Sequence, residues 1–236
     1  MSNSYFKFKQ FTIEQGGCAM KVGTDGCLLG GWFDCSQSRR ILDVGTGSGL
    51  IAIMAAQRCN AMVTGIEIDN EAALQAKDNV KNSPWCDRVE IIKKDLLEYV
   101  PEELFDTIVS NPPYFVNSMK CDNASRTLAR HSDSLGSEEF FACADRLLAP
   151  HGKVSIVIPC DIVEEWRRSA NGCGFVASRL AYIKTTPRKA PKRVLLEFSR
   201  GNAVECIEST LVLENSPGVY SKEAQDILRD FYLKIV

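Results

Sequence analysis

Between Arg40 and Pro159 the chain alternates short runs dense in Val and Ile with longer amphipathic segments, and this alternation constrains the fold more than any other feature. The runs are Ile41–Val44, Met62–Ile66, Val89–Ile92, Thr107–Ser110 and Val154–Ile158. They are nearly continuous in apolar residues, as strands covered on both faces are, whereas a half-exposed strand alternates. Apolar residues recur at helical spacing in Leu50–Arg58 and Asn70–Asn82. Two further helices are expected over Ser137–Leu148, with Ser137 as N-cap, and over Ile162–Asn171 ahead of Gly172. Strands separated by helices lie parallel, with the helices on the two faces, so the expectation is a doubly wound α/β sheet.

After Gly174 the pattern changes. Phe175–Ile183 and Val194–Phe198 read as strands joined by KTTPRKAPKR, residues 184–193, which brings the mostly parallel sheet to seven strands. Val204–Leu213 is a further strand candidate, and Lys222–Leu233 reads as a closing helix. Residues 1–39 form a small N-terminal subregion of mixed strand and helix, and residues 40–236 the main domain. With 45% hydrophobic and 25% charged residues the composition is that of an ordinary globular protein. No apolar run approaches the roughly 18 residues of a membrane span. The opening MSNSYFKFKQF lacks the apolar stretch of a signal peptide, so a cytoplasmic protein is expected, without membrane partners. Ten cysteines are scattered without a C-x-x-C, and there are two histidines, so no metal site is expected and the thiols read as reduced.

ILDVGTGSGL, Ile41 to Leu50, takes a strand into Gly45, Gly47 and Gly49 and then a helix, which opens backbone amides at a helix N-terminus. The spacing is not that of dinucleotide binders, and Asp43 just before the turn would repel a pyrophosphate while pairing with an ammonium. Glu67 ends the next strand and can accept from a ribose diol. Asp95 follows the third strand and can accept from an adenine amine, with Ile68 and Leu96 offering apolar faces to the ring. Each acid alone reads equally as a helix N-cap or a solvated loop residue. The set suits an ammonium, a ribose and an adenine together, which describes S-adenosylmethionine.

The fourth strand stops at Asn111, in VSNPPYF. Proline lacks an amide hydrogen, so Asn111-Pro112-Pro113 presents carbonyls and one side-chain amide with little freedom. An amide oxygen and a proline carbonyl together hold both hydrogens of a planar NH2, and Tyr114 can stack on the ring that carries it.

In this order, ILDVGTGSG, GIEID, KKD and NPPY resemble the class I S-adenosylmethionine-dependent methyltransferases with an N-P-P-Y motif, enzymes of Rossmann-like fold. With KVGTDGCLLGGW and PKRVLLEF added, the chain resembles the bacterial tRNA(Val) adenine-37 N6-methyltransferase family along nearly its whole length. The resemblance implies methyl transfer to adenine N6 in tRNA. It places Asp43, Gly45, Thr46, Gly47 and Gly49 at the methionine moiety, Glu67 at ribose and Asp95 at adenine. Asn111, Pro112, Pro113 and Tyr114 would form the catalytic motif, and Thr24 and Asp25 would close the cofactor pocket.

With net charge −2, an RNA partner must be met by local basic patches. Arg188, Lys189 and Arg193 lie with Lys184 and Lys192 in the 184–193 loop, and Arg126 and Arg130 with His131 follow the N-P-P-Y motif. Each group reads either as a phosphate contact or as a solvated surface; Lys7 and Lys9 can add contacts or simply face solvent. A monomer is expected. The alternatives are a protein glutamine-N5 methyltransferase, disfavoured because only residues 1–39 precede the cofactor strand, and a non-catalytic RNA-binding protein.

Overall fold

In the computed structural model, which describes residues 4–17, 20–112, 135–201 and 205–235, the chain opens with a hairpin of β1 (Tyr5–Lys7) and β2 (Thr12–Glu14) and helix α1 (Thr24–Trp32). Then come β3 (Arg40–Val44), α2 (Leu50–Arg58), β4 (Met62–Glu67), α3 (Asn70–Lys81), β5 (Val89–Lys93) and β6 (Phe105–Ser110). Next are α4 (Ser137–Leu147), β7 (Leu148–Pro159), α5 (Val163–Gly172), β8 (Phe175–Lys184), β9 (Arg193–Arg200) and β10 (Ile207–Val212). A small hairpin of β11 (Glu214–Ser216) and β12 (Val219–Tyr220) leads into α6 (Lys222–Leu228).

The main sheet runs β10-β8-β9-β7-β6-β3-β4-β5. From β7 to β5 every pair is parallel, and β9 lies antiparallel between β7 and β8. It has eight strands where seven were counted, because the further candidate Val204–Leu213 forms β10 and adds itself parallel to β8 at the edge. Its residues Ile207 to Thr210 are exposed, so it lacks the Val and Ile density that marks the buried strands.

Successive strand residues enter two separate cores. Ile41, Val109, Val157 and Leu195 face α1, α2 and the N-terminal hairpin, while Leu42, Ile108, Ile156 and Leu196 face the aromatic cluster of Phe140, Phe141, Trp166 and Phe198. A side chain on each face at every step explains the unbroken apolar runs.

Among the boundaries that differ from expectation, two have a clear physical cause. Gly136, not Ser137, is the N-cap of α4, and Glu139 returns to the Gly136 amide. The buried Ser137 hydroxyl instead meets Glu165 at 3.1 Å and Ser169 at 2.9 Å, joining α4 to α5. Helix α6 stops at Leu228 rather than Leu233. The residues beyond are apolar because they plug the N-terminal hairpin: Phe231 is buried, its carbonyl accepts from Lys9 N, and Tyr232 packs on Phe6 and Phe8.

Helix α1 packs tightly through glycines. A Cβ on Gly31 would lie 2.6 Å from the Ile227 carbonyl oxygen of α6, and one on Gly30 would lie 2.6 Å from the Met54 sulfur of α2. A backbone oxygen cannot move aside as a thioether can. Gly31→Ala is therefore expected to lower stability by about 1–3 kcal/mol, and Gly30→Ala by less, read as denaturant midpoints with unchanged slope. Equal midpoints for the two variants would contradict this packing.

Candidate active site

Strand β3 has β4 on one side and β6 on the other, so the winding direction reverses across it and a crevice opens beyond the carboxyl ends of β3 and β6. Val44 and Ser110 are register partners, and the Ser110 hydroxyl donates to the Val44 carbonyl at 2.8 Å. The glycine turn and Asn111 therefore leave the sheet from adjacent strands at the same level, about 4.8 Å apart.

Gly45, Gly47 and Gly49 have φ of +66°, +56° and +82°, the left-handed region where a side chain is strained. The turn is held from below. Asp43 is buried, and its Oδ2 accepts from the Thr46 hydroxyl at 2.6 Å and from Ala52 N at 3.1 Å. Its other oxygen, Oδ1, is also buried and meets no hydrogen-bond partner among the described residues. Burial pushes the Asp43 carboxyl up to about 7, against the lowering effect of the Thr46 and Ala52 hydrogen bonds, and the nearby Glu67 charge adds to the rise. Glu67 accepts from Gly47 N at 2.9 Å through Oε2 and from Asp69 N at 3.0 Å through Oε1, which ties the end of β4 to the glycine turn. Each of its oxygens keeps a second lone pair.

Asp95 caps the short turn Leu96–Glu98, accepting from Leu97 N at 2.9 Å. It therefore serves as a cap as well as standing just past the end of β5, beside the end of β4. The two apolar residues separate: Leu96 packs into the core, and Ile68 is 60% exposed. Thr46, too, turns inward, its hydroxyl committed to Asp43.

One residue of the site escaped the sequence reading. Asn79 of α3 is buried; its Nδ2 donates to Ser48 O and Glu14 O, both at 2.8 Å, and its Oδ1 accepts from Glu14 N at 2.9 Å. It fastens β2 to the glycine turn. The available signal was a polar residue on the buried stripe of Ala72, Ala73, Ala76 and Val80.

From β2 the chain crosses to α1, held by Gly17 N on Gln75 Oε1 and Val22 N on Gln15 Oε1. Thr24, the first residue of α1, is exposed. Gly26 stands against the motif strand, and a Cβ there would lie 3.7 Å from Asn111 Nδ2. Asn111 is half-buried and Pro112 buried; Pro113, Tyr114, Arg126, Arg130 and His131 lie outside the described residues.

The 184–193 loop leaves β8 and enters β9 at this same edge, where Arg193 is the register partner of Pro159. Arg188 and Lys189 are exposed. Arg193 is engaged within the protein, its Nε on Asp25 Oδ2 at 2.9 Å and its Nη1 on Lys192 O. Lys9 donates to the Arg229 carbonyl.

The sequence pattern of the methyltransferase small domain matches residues 21–163. The chain belongs to the methyltransferase small-domain family. The chain is 47% identical over 235 residues, the whole of both chains, to a tRNA1(Val) (adenine(37)-N6)-methyltransferase of Phocaeicola vulgatus. It is 45% identical, again over the whole of both chains, to the protein of that name from Bacteroides thetaiotaomicron. Among solved structures, a predicted O-methyltransferase of Agrobacterium tumefaciens superposes with a TM-score of 0.71 at 19% identity, covering 90% of this chain and 99% of the other, a likeness of fold. No helix among the described residues is long and apolar enough to cross a membrane.

The cofactor of this methyltransferase is S-adenosylmethionine, and the site fits it. The buried, unpartnered Asp43 Oδ1 suits an ammonium, and the open backbone above Gly45, where a Cβ would meet nothing, admits a ligand against the main chain. Pairing with an ammonium requires Asp43 as carboxylate, so below pH 7 binding must first expel a proton. Cofactor affinity is expected to rise about tenfold per pH unit from about pH 5.5 to about pH 7 and then level off. Calorimetry in buffers of different ionisation enthalpy would show proton release at pH 6; flat affinity across that window would contradict a proton on Asp43.

Proposed function

We propose that this chain transfers the methyl group of S-adenosylmethionine to N6 of adenine 37 in tRNA1(Val), acting as a cytoplasmic monomer. The observation that carries the chemistry is the placement of Asn111-Pro112 one strand from the glycine turn and level with it. The full-length identity to the two tRNA-modifying relatives supports the substrate.

When bound, S-adenosylmethionine supplies an electrophilic methyl group on a sulfonium. Asp43 would hold its ammonium, Glu67 its ribose and Asp95 its adenine, with Ile68 beside the ring. Asn111 Oδ1 and the Pro112 carbonyl accept the two hydrogens of the target amine. That removes its rotational freedom and turns the nitrogen lone pair toward the methyl. An exocyclic amine is a poor nucleophile because its lone pair is delocalised into the ring, so positioning is the main source of rate. Its proton leaves during or after transfer, and the site needs no strong base. The adenine must leave its stack to reach this crevice, and Tyr114 is proposed to stack on it. Arg188 and Lys189, exposed on the same edge, would meet phosphates of the anticodon arm.

A glutamine-N5 enzyme would share the amine clamp, since a side-chain amide is also planar. The exposed basic loop beside the clamp favours RNA over that reading.

The test is transfer from radiolabelled cofactor to total tRNA from a strain lacking this gene, with nucleoside analysis and mapping of the label. Label in N6-methyladenosine at position 37 of tRNA1(Val) is expected. Label in protein glutamine, or none in tRNA, would refute the reading. In the same assay Arg188→Ala with Lys189→Ala should raise KM for tRNA and flatten its salt dependence, the slope falling by roughly one for each phosphate that is no longer neutralised.

A further inference from the structure

We infer that Asp25 and Arg193 form a positioning pair that sets the amine clamp from the RNA-facing side, an inference that rests on the methyl-transfer reading above. The two residues stand at opposite ends of the sequence and meet at 2.9 Å, each about one-third exposed at the side chain. Arg193 is the first residue of β9, where the 184–193 loop re-enters the sheet, and it is in register with Pro159 on one side and Ile183 on the other. The backbone next to it is also fixed, with Cys160 N donating to Lys192 O and Lys192 N to Ile183 O. Arg193 thus projects from a rigid strand end. Asp25 lies in the first turn of α1, directly before Gly26.

Gly26 is the point where α1 meets the motif. A Cβ there would lie 3.7 Å from Asn111 Nδ2 and 3.3 Å from a methyl of Leu50, the first residue of the helix that follows the glycine turn. The first turn of α1 therefore stands close behind both the amide proposed to hold the target amine and the helix that follows the glycine turn, about one carbon atom short of contact. No side-chain cap holds the start of this helix: its N-cap is Gly23, which supplies no side-chain acceptor. The ion pair with Arg193 supplies the lateral restraint that a cap would otherwise give. On sequence alone Arg193 belongs with Arg188 and Lys189 as a phosphate contact or a solvated residue; its Nε contact instead ties it to the first turn of α1. The loop therefore divides its work: its exposed cations meet RNA, while its last residue holds the first turn of α1 behind Asn111. A ligand pulling on the loop would be felt at the clamp through this pair.

The consequence is a division between kcat and KM. Arg193→Ala should lower kcat by about tenfold or more, with KM for tRNA and cofactor affinity little changed, because a misplaced amine reacts slowly without binding less well. Arg188→Ala should do the reverse, raising KM. The double exchange Asp25→Arg with Arg193→Asp should recover part of the lost kcat, which neither single exchange does. A second readout needs no RNA. The side-chain NH2 resonances of Asn111, assigned by isotope labelling, should move in Asp25→Asn and Arg193→Lys and stay in place in Arg188→Ala. Should the wild-type protein fail to methylate tRNA, the functional reading falls, and the Asn111 resonances still decide the pair. A raised KM with unchanged kcat in Arg193→Ala would make Arg193 a phosphate contact and overturn the inference, as would Asn111 resonances indifferent to Asp25→Asn.

Discussion

The rungs of hydrogen bonds between β3 and β6 are the constraint on which the rest of this protein depends. Asp43 sits opposite Val109 and Val44 opposite Ser110, and the Ser110 hydroxyl closes the last rung on the Val44 carbonyl. Because the two strands end level, the glycine turn and the Asn111 amide start side by side. A slip of one residue would send Asp43 to the opposite face of the sheet and carry Asn111 away from the glycine turn. The two hydrophobic cores forbid that slip, since Ile108 and Val109 are buried on opposite faces. The packing of the domain thereby sets the geometry of the chemistry.

Around that register the site is built by backbone hydrogen bonds to acidic side chains. Asp43 holds the inside of the glycine turn, Glu67 its outside, and Asp95 the turn that follows β5. Each carboxylate is thus ordered before any ligand arrives, which reduces the entropy lost on binding. Asp43 bears the tension of the arrangement. Burial opposes its charge, and one of its oxygens lacks a partner that an ammonium can supply.

Much of this was legible in the residues, for a physical reason. Buried parallel strands need apolar side chains at every position, and so β3 to β7 stood out; positive-φ turns need glycine, and so Gly45, Gly47 and Gly49 did too. The edge strand β10 was legible only as a candidate, because its exposed residues carry no strong pattern, and the true end of α6 was not legible, because the apolar residues past Leu228 serve a different partner, the N-terminal hairpin. Asn79 and the Asp25–Arg193 pair were hidden for another reason. Their partners lie 65 and 168 positions away, a distance that no local spacing records. The same holds for Thr46 and Leu96, whose side chains turn to the interior although both stand at strand ends beside the crevice.

On the proposed reading two adjacent strand ends perform separable tasks, one holding the cofactor and the other the amine. Single-turnover kinetics and cofactor-binding calorimetry on Asn111→Ala probe that separation without an intermediate assumption. Methyl transfer is expected to slow by about a hundredfold or more, as for a reacting group that is no longer aimed, while the affinity for S-adenosylmethionine stays near that of the unaltered protein. A parallel collapse of cofactor affinity, or transfer at an undiminished rate, would show that the two tasks are not divided between β3 and β6.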